Sequence, residues 1–169
     1  HIGVAAAGYI PDARVQVDGA RFFSQGNRMT YDESVEVATV AKHLADQAHQ
    51  FTQYGGVRPN GVAMIIAGVD QKGESIYITD PSGTYVQYSA IAIGSGSDDV
   101  NSFLEKYYNK DMSLEDAASL AIAAINLKAE QKEGHVKMAK ISTESKVFEK
   151  VSEEDILTYS QNASKFSKE

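Results

Sequence analysis

At its centre the chain reads Val62-Ala63-Met64-Ile65-Ile66-Ala67-Gly68-Val69, then Asp70-Gln71-Lys72-Gly73-Glu74, then Ser75-Ile76-Tyr77-Ile78-Thr79. The two outer runs are apolar and rich in β-branched residues, and the polar segment between them contains a glycine, as turns do. This stretch therefore predicts a β-hairpin. A second turn, Asp80-Pro81-Ser82-Gly83, leads to Thr84–Tyr88 and Ile91–Gly94, which extends the prediction to an antiparallel meander.

Patterns of helical period precede the hairpin. The chain opens on an apolar run, His1–Gly8, which predicts a strand. Apolar residues at steps of three and four then predict a helix from about Ile10 to Gln25 and a second helix that follows Asp32-Glu33-Ser34 and ends near Gln53. The first helix carries a polar stripe, which is either a solvated face or a subunit contact: Arg14, Asp18, Arg21, Gln25 and Arg28.

Helices and short strands also follow the meander. Ser97 and Ser113 are placed to cap two helices, and Asp116 completes a capping-box pattern with Ser113. The remaining predictions are a charged loop at Lys128–Gly134, strands near Val136–Ile141 and Lys146–Phe148, and a last helix that starts at Ser152. Helices that arrive in pairs between antiparallel strands predict a layered α+β sandwich rather than a parallel βαβ sheet.

Composition limits the classes of function. A chain of 169 residues, 43% of them hydrophobic, can form one domain over residues 1–169 with a sizeable core. The absence of cysteine excludes disulfides and thiolate sites and fits a cytoplasmic protein. A net charge of −7 argues against a nucleic-acid partner, and the apolar runs are too short to cross a membrane.

No motif of catalysis or cofactor binding stands out. Gly94-Ser95-Gly96-Ser97 lies where a phosphate-binding loop would, but the third glycine is missing and two aspartates follow at the helix N-terminus. The four histidines, His1, His43, His49 and His135, lack metal-ligand spacing, and no Gly-x-Ser-x-Gly elbow occurs. We therefore predict no catalytic residue, no metal and no cofactor.

One loop has an unusual composition. Gln53-Tyr54-Gly55-Gly56-Val57-Arg58-Pro59-Asn60-Gly61-Val62 joins a predicted helix to a predicted buried strand. The adjacent glycines indicate positive φ or a close approach of the backbone, and Arg58 before the rigid Pro59 can present a fixed fork of donors. The loop is either a simple helix stop and strand entry or a binding loop.

Taken in order, six motifs resemble the successive signatures of archaeal-type proteasome α subunits. They are Gly8-Tyr9-Ile10-Pro11-Asp12-Ala13-Arg14, Asn27-Arg28-Met29-Thr30-Tyr31, Phe51-Thr52-Gln53-Tyr54-Gly55-Gly56-Val57-Arg58-Pro59, Ala67-Gly68-Val69-Asp70, Asp80-Pro81-Ser82-Gly83 and Ala92-Ile93-Gly94-Ser95-Gly96. The resemblance is clear from His1 to about Tyr107. Asn60 departs from the aromatic residue usual in the family, and Pro11 departs from a small one.

The resemblance implies the four-layer αββα sandwich of N-terminal-nucleophile hydrolases. The chain would be the C-terminal larger part of the family domain, without the N-terminal strands, the gating helix and the gating tail. Catalysis in the family's β subunits needs a terminal Thr, whereas this chain starts with His1, and the Lys and Asp partners of such a Thr have no counterpart. A non-catalytic subunit is therefore expected.

The resemblance also implies partners and site residues. Gly8, Tyr9 and Ile10 would flank the activator pocket, where the C-terminal tails of regulatory ATPases dock. Tyr54, Gly56 and Arg58 would form the ring-surface loop that contacts the gating segment and the adjacent subunit. The expected partners are other α subunits in a seven-membered ring, proteasome β subunits, a regulatory ATPase or other activator, and unfolded proteins in transit.

Two alternatives remain at this point: a self-sufficient amidohydrolase or peptidase of the β-subunit kind, and an isolated fragment with no role in assembly. The implied N-terminal extension adds a structural expectation. A sandwich needs two sheets that cover each other, so some apolar strand residues of this chain would lack part of their cover. Those residues are Ile2, Val4, Ile65, Ile91 and Ile93.

Overall fold

The structure, a computed structural model, describes residues 1–127 and 136–166. The chain order is β1 (Ile2–Gly8), α1 (Ile10–Tyr31), α2 (Val37–Gln53), β2 (Val62–Asp70), β3 (Gly73–Thr79), β4 (Tyr85–Tyr88), α3 (Ser97–Tyr107), α4 (Leu114–Asn126), β5 (Ala139–Ile141), β6 (Phe148–Lys150) and α5 (Glu153–Ala163). This mixture of helices and antiparallel strands confirms the α+β class. The predicted loop at 128–134 lies outside the described residues.

Strands β1 to β4 form one antiparallel sheet in the order of the chain. The predicted hairpin pairs Ile66 of β2 with Tyr77 of β3, and β4 then pairs with β3, so the meander is confirmed up to Tyr88. The last strand predicted for the meander, Ile91–Gly94, was wrong, because residues 91–94 form no strand. There the side chain of Asn101 bonds both the N–H and the carbonyl of Ala92, at 2.7 and 3.3 Å, in place of strand pairing.

The main core lies between this sheet and the helices α1 and α2. Alternate residues of β2 point to the helices, and Met64 and Ile66 are fully buried there against Val40 and Leu44 of α2. Burial of each such aliphatic side chain stabilises the fold by about 1.5–3 kcal/mol. Ile2 and Val4 also pack against this core, but both are only partly buried.

The opposite face of the sheet borders a cleft of about 1750 Å³. Ile65 and Ala67 of β2 line one wall, and residues of α4, α5 and the small β5–β6 sheet, such as Met138 and Ile156, line the other. Ile65 is only half-buried, as expected of a strand residue with incomplete cover. The molecule is therefore well packed on one side of its main sheet and open on the other.

Helix α1 extends beyond its predicted end at Gln25, whereas α2 ends at Gln53 as predicted. Helix α1 continues through Gly26 to Tyr31, where Asp32 takes a left-handed conformation and its N–H bonds the carbonyl of Arg28. Helix α2 begins only at Val37, because its capping acceptor comes from the β2–β3 hairpin: the N–H of Val37 donates to the carboxylate of Asp70 at 2.9 Å. None of the described helices is long and apolar enough to span a bilayer.

The predicted turn at Asp80–Gly83 is confirmed. Oδ1 of Asp80 accepts from the N–H of Ser82 at 2.8 Å and from that of Thr84 at 3.1 Å. Gly83 has φ of +89°, and a Cβ there would stand 2.5 Å from the Cβ of His49, so a glycine is required where the turn touches α2. Burial raises the pKa of Asp80, but the hydrogen bonds of the turn outweigh it and lower the pKa overall.

Candidate functional site

The site begins where β1 ends. Gly8, the last residue of β1, pairs with Val62, the first residue of β2. The residue after β1, Tyr9, therefore lies beside the residue before β2, Gly61. Gly8 has φ of +124°, and a Cβ there would stand 2.4 Å from the carbonyl oxygen of Gly61. Only glycine fits this approach, which lets the N–H of Tyr9 donate to that same oxygen at 2.7 Å.

Asp12 connects the first turn of α1 to the loop before β2. Its carboxylate accepts two hydrogen bonds from Arg58, Nη1 to Oδ2 at 2.6 Å and Nη2 to Oδ1 at 2.8 Å. A third comes from the N–H of Gly61 to Oδ2 at 2.9 Å. The hydrogen bonds from Arg58 and then from Gly61 lower the pKa of Asp12, so the carboxylate is ionised and forms a bidentate ion pair.

An exposed aromatic ring lies beside this ion pair. The guanidinium carbon of Arg58 stands 5.2 Å from the centre of the Tyr9 ring, within the range of a cation–π contact. Tyr9 and Ile10 are both more than half exposed, and the loop from Tyr54 to Pro59 is exposed throughout. The surface thus combines an exposed aromatic side chain, an exposed aliphatic side chain and an ion-paired guanidinium.

The structure brings the two predicted groups of residues together. Tyr9 contacts Arg58 directly, and Gly8 and Ile10 flank it. Tyr54 and Gly56 lie on the same loop, but they face open space: Gly56 has φ of +85°, with no atom within 4 Å of an added Cβ. Whether these residues dock an activator or contact a gating segment remains a prediction.

Sequence analysis missed Asp12 as the centre of this arrangement. The sequence places Asp12 in the first turn of the first helix. The two parallel donors of Arg58 are best satisfied by a carboxylate, which indicated an acidic partner elsewhere in the chain. The missing step was the pairing of β1 with β2, which brings Tyr9 opposite Gly61 and so places the start of α1 beside Arg58. An antiparallel pairing of the two apolar runs would have been enough to find it.

A buried polar atom lies next to the site. The side-chain nitrogen Nδ2 of Asn60 is shielded from solvent and has no hydrogen-bond partner. A buried donor without a partner destabilises the fold, so this environment suits an apolar side chain better.

The outer face of α1 carries an apolar stripe that sequence analysis did not identify. Val15, Phe22 and Met29 recur at steps of seven and are 71%, 80% and 88% exposed. The predicted polar stripe lies beside it, with Asp18 and Arg21 paired at 3.0 Å. The three exposed apolar side chains therefore lie along one line of the helix surface.

The histidines among the described residues, His1, His43 and His49, do not form a metal site. His43 stacks on Phe23, with ring centres 4.0 Å apart, and burial lowers the pKa of its imidazole. Nε2 of His1 lies 2.7 Å from the carbonyl oxygen of Val35. His135 falls outside the described residues, and in the part of the chain that the structure describes no cluster of three or more His, Asp or Glu side chains could hold a metal.

Comparisons with known proteins agree with the motifs. A family model described as Proteasome subunit matches residues 1–143. Proteasome subunit alpha of Archaeoglobus fulgidus is 42% identical over 96% of this chain and 67% of its own length. Proteasome subunit alpha 2 of Haloarcula marismortui is 43% identical over 92% of the chain and 65% of its own length.

The likeness extends to other archaea. Proteasome subunit alpha of Pyrococcus horikoshii is 44% identical over 94% of this chain and 61% of its own length. The chain thus spans about two thirds of the length of these curated relatives. It belongs to the proteasome subunit family, and within that family to the archaeal α type.

Proposed function

We propose that this chain acts as a non-catalytic, ring-building and gating subunit of a proteasome core particle. In this role seven copies form an outer ring on proteasome β subunits, in the cytoplasm, and the ring admits unfolded proteins to the catalytic chamber. The proposal rests on relatives named as α subunits rather than β subunits. Activity toward peptides would then belong to the β subunits of the complex.

The apolar stripe on α1 is the structural observation that supports the ring-building part of this proposal. Phe22 and Met29 expose most of their side chains on the side of the helix away from the core. In a monomer this surface would be exposed to water, whereas in a ring the neighbouring subunits would cover it. The arginines of the neighbouring polar stripe would then form the polar rim of the interface.

The open cleft supports the finer fold proposal, a four-layer αββα sandwich. The half-buried face at Ile65 and Ala67 has the apolar character of an inner sheet face. The β5–β6 pair, with three residues in each strand, is too small to cover it. Further strands that extend the β5–β6 sheet across the cleft would complete two facing sheets between two helical layers.

The site around Gly8 supports the docking part of the proposal. The exposed Tyr9 and Ile10 would receive the C-terminal tail of a regulatory ATPase, and the loop with Tyr54, Gly56 and Arg58 would contact the gating segment and the adjacent subunit. The exposed aromatic and aliphatic side chains suit the apolar side chains of a short peptide.

The experiment is activation of the complete particle. Particles assembled from the subunit and its β partner should hydrolyse a fluorogenic peptide faster when the regulatory ATPase is added with ATP. Tyr9→Ala should weaken this stimulation, whereas Tyr85→Ala, an exposed tyrosine on β4, should not. A covalent inhibitor of threonine proteases should label only the β subunits. Labelling of this chain, or equal stimulation of both variants, would contradict the proposal.

A further inference from the structure

The loop between α2 and β2 is held at few points. Residues 54–59 are all exposed. At one end, the N–H of Tyr54 bonds Gln50 of its own helix, and at the other Gly61 bonds Tyr9. Between these ends, the side chain of Arg58 ties the loop to a different element through Asp12. The position of the loop therefore depends on that ion pair.

Asp12 is the fixed partner of the pair. Its side chain is 14% exposed, whereas that of Arg58 is 61% exposed. The carboxylate accepts a hydrogen bond from the N–H of Gly61. It also lies in the first turn of α1, where the helix dipole favours a negative charge. The Arg58 side chain is long and solvated, so Asp12 determines the position of the guanidinium rather than the reverse.

The same guanidinium also covers Tyr9. With both of its terminal nitrogens bonded to Asp12, the group lies 5.2 Å from the centre of the Tyr9 ring. If Arg58 lost Asp12, it would be free to leave the ring, and the loop would lose its link to the turn at Gly8–Ile10. One carboxylate thus sets both the environment of Tyr9 and the distance between the turn and the loop.

We propose that Asp12 is a positioning residue that joins the turn Gly8-Tyr9-Ile10 and the loop Tyr54–Arg58 into one docking surface. The inference rests on the proposed docking function, because it concerns the same turn. It adds that a peptide bound at Tyr9 is sensed by the loop through Arg58. The chemistry requires a charge and a bidentate geometry: Asn lacks the charge, and Lys in place of Arg58 lacks the fork.

The test is activation of assembled particles by the regulatory ATPase, measured as the ATPase concentration that gives half-maximal peptide hydrolysis. Asp12→Asn should raise this concentration about threefold or more, as expected when a charge-assisted contact is lost. Asp12→Glu should recover part of the loss, since it restores the charge. The matched control is Asp46→Asn, which weakens the exposed Lys42–Asp46 ion pair on α2, outside the proposed docking and subunit surfaces, and should leave the concentration unchanged.

A double-mutant cycle separates positioning from a general loss of stability. Arg58→Lys should weaken activation to a similar extent, and Asp12→Asn combined with Arg58→Lys should be no worse than either alone. If Asp12→Asn particles fail to assemble, Arg58→Lys, which keeps the charge, decides by itself. Equal behaviour of Arg58→Lys and wild type, or of Asp12→Asn and Asp46→Asn, would overturn the inference.

The outcome at Tyr9 separates the two proposals. If Tyr9→Ala weakens activation while Asp12→Asn and Arg58→Lys do not, the docking function stands and Asp12 is not a positioning residue. If Tyr9→Ala has no effect either, the docking function fails and the inference fails with it.

Discussion

Substitution of Gly8 by alanine tests the geometry from which the site is built. Gly8 has φ of +124°, a conformation that costs a residue with a side chain about 1–3 kcal/mol. The added Cβ would stand 2.4 Å from the carbonyl oxygen of Gly61 and 3.1 Å from the Cα of Val62. Both are backbone atoms of the paired strand, so neither can rotate away.

Relief of this clash requires the ends of β1 and β2 to separate. That movement would weaken the hydrogen bond from the N–H of Tyr9 to Gly61, which contributes about 1 kcal/mol. We therefore expect Gly8→Ala to lower the free energy of unfolding by about 2–4 kcal/mol. The turn at Tyr9 should also be displaced, so activation by the regulatory ATPase should fall in particles that still assemble.

The assay is urea unfolding of the purified subunit, followed by circular dichroism at one protein concentration. Gly55→Ala is the matched control, because no atom lies within 4 Å of a Cβ at that position and its φ is not positive. It should change the free energy of unfolding by less than about 0.5 kcal/mol. A Gly8→Ala variant as stable as the Gly55→Ala variant would refute the reasoning.

Three further predictions concern stability. Gly26→Ala should stabilise the subunit by about 1 kcal/mol in the same urea titration, because Gly26 lies inside α1 with open space around it; a loss of stability would contradict this. Asn60→Leu should raise the melting temperature, since it removes a buried donor without a partner, at a gain of about 1 kcal/mol; a lower melting temperature would show that Nδ2 is satisfied in solution. The pKa of Asp80 is lowered on folding, so its charge stabilises the fold above the usual value of 3.8, and this stabilisation is lost as the pH falls through the lowered pKa. Asp80→Asn keeps the Oδ1 acceptor but removes the charge. Its free energy of unfolding, measured at several pH values, should therefore fall below that of wild type most near neutrality and least in acid. A difference in stability that does not change with pH would contradict the charge effect.

Local signals in the sequence were enough for many elements. The hydroxyl of Ser113 accepts from the N–H of Asp116 and caps α4, and Ser152 caps α5 in the same way, as predicted. The hairpin between β2 and β3 also follows from adjacent residues, because its alternating apolar pattern and its turn are continuous in the chain. These features depend on residues a few positions apart, which the sequence displays directly.

Features that depend on distant residues were missed. The hydrogen bond that caps the start of α2 was missed, because its acceptor, Asp70, lies 33 residues further along the chain from Val37. The ion pair between Asp12 and Arg58 joins residues 46 positions apart, and only the pairing of β1 with β2 brings them together. Ile91–Ile93 look like a strand by composition, but Asn101 supplies the hydrogen bonds that a neighbouring strand would.

Native mass spectrometry of the purified subunit tests the central claim most directly. The apolar stripe at Val15, Phe22 and Met29 should be covered by neighbouring copies or by β subunits, so the account predicts assemblies of seven copies or multiples of seven. A negative charge introduced into the stripe by Phe22→Glu should shift the mass distribution toward smaller species. A strictly monomeric subunit at micromolar concentration, with or without its β partner, would contradict the account.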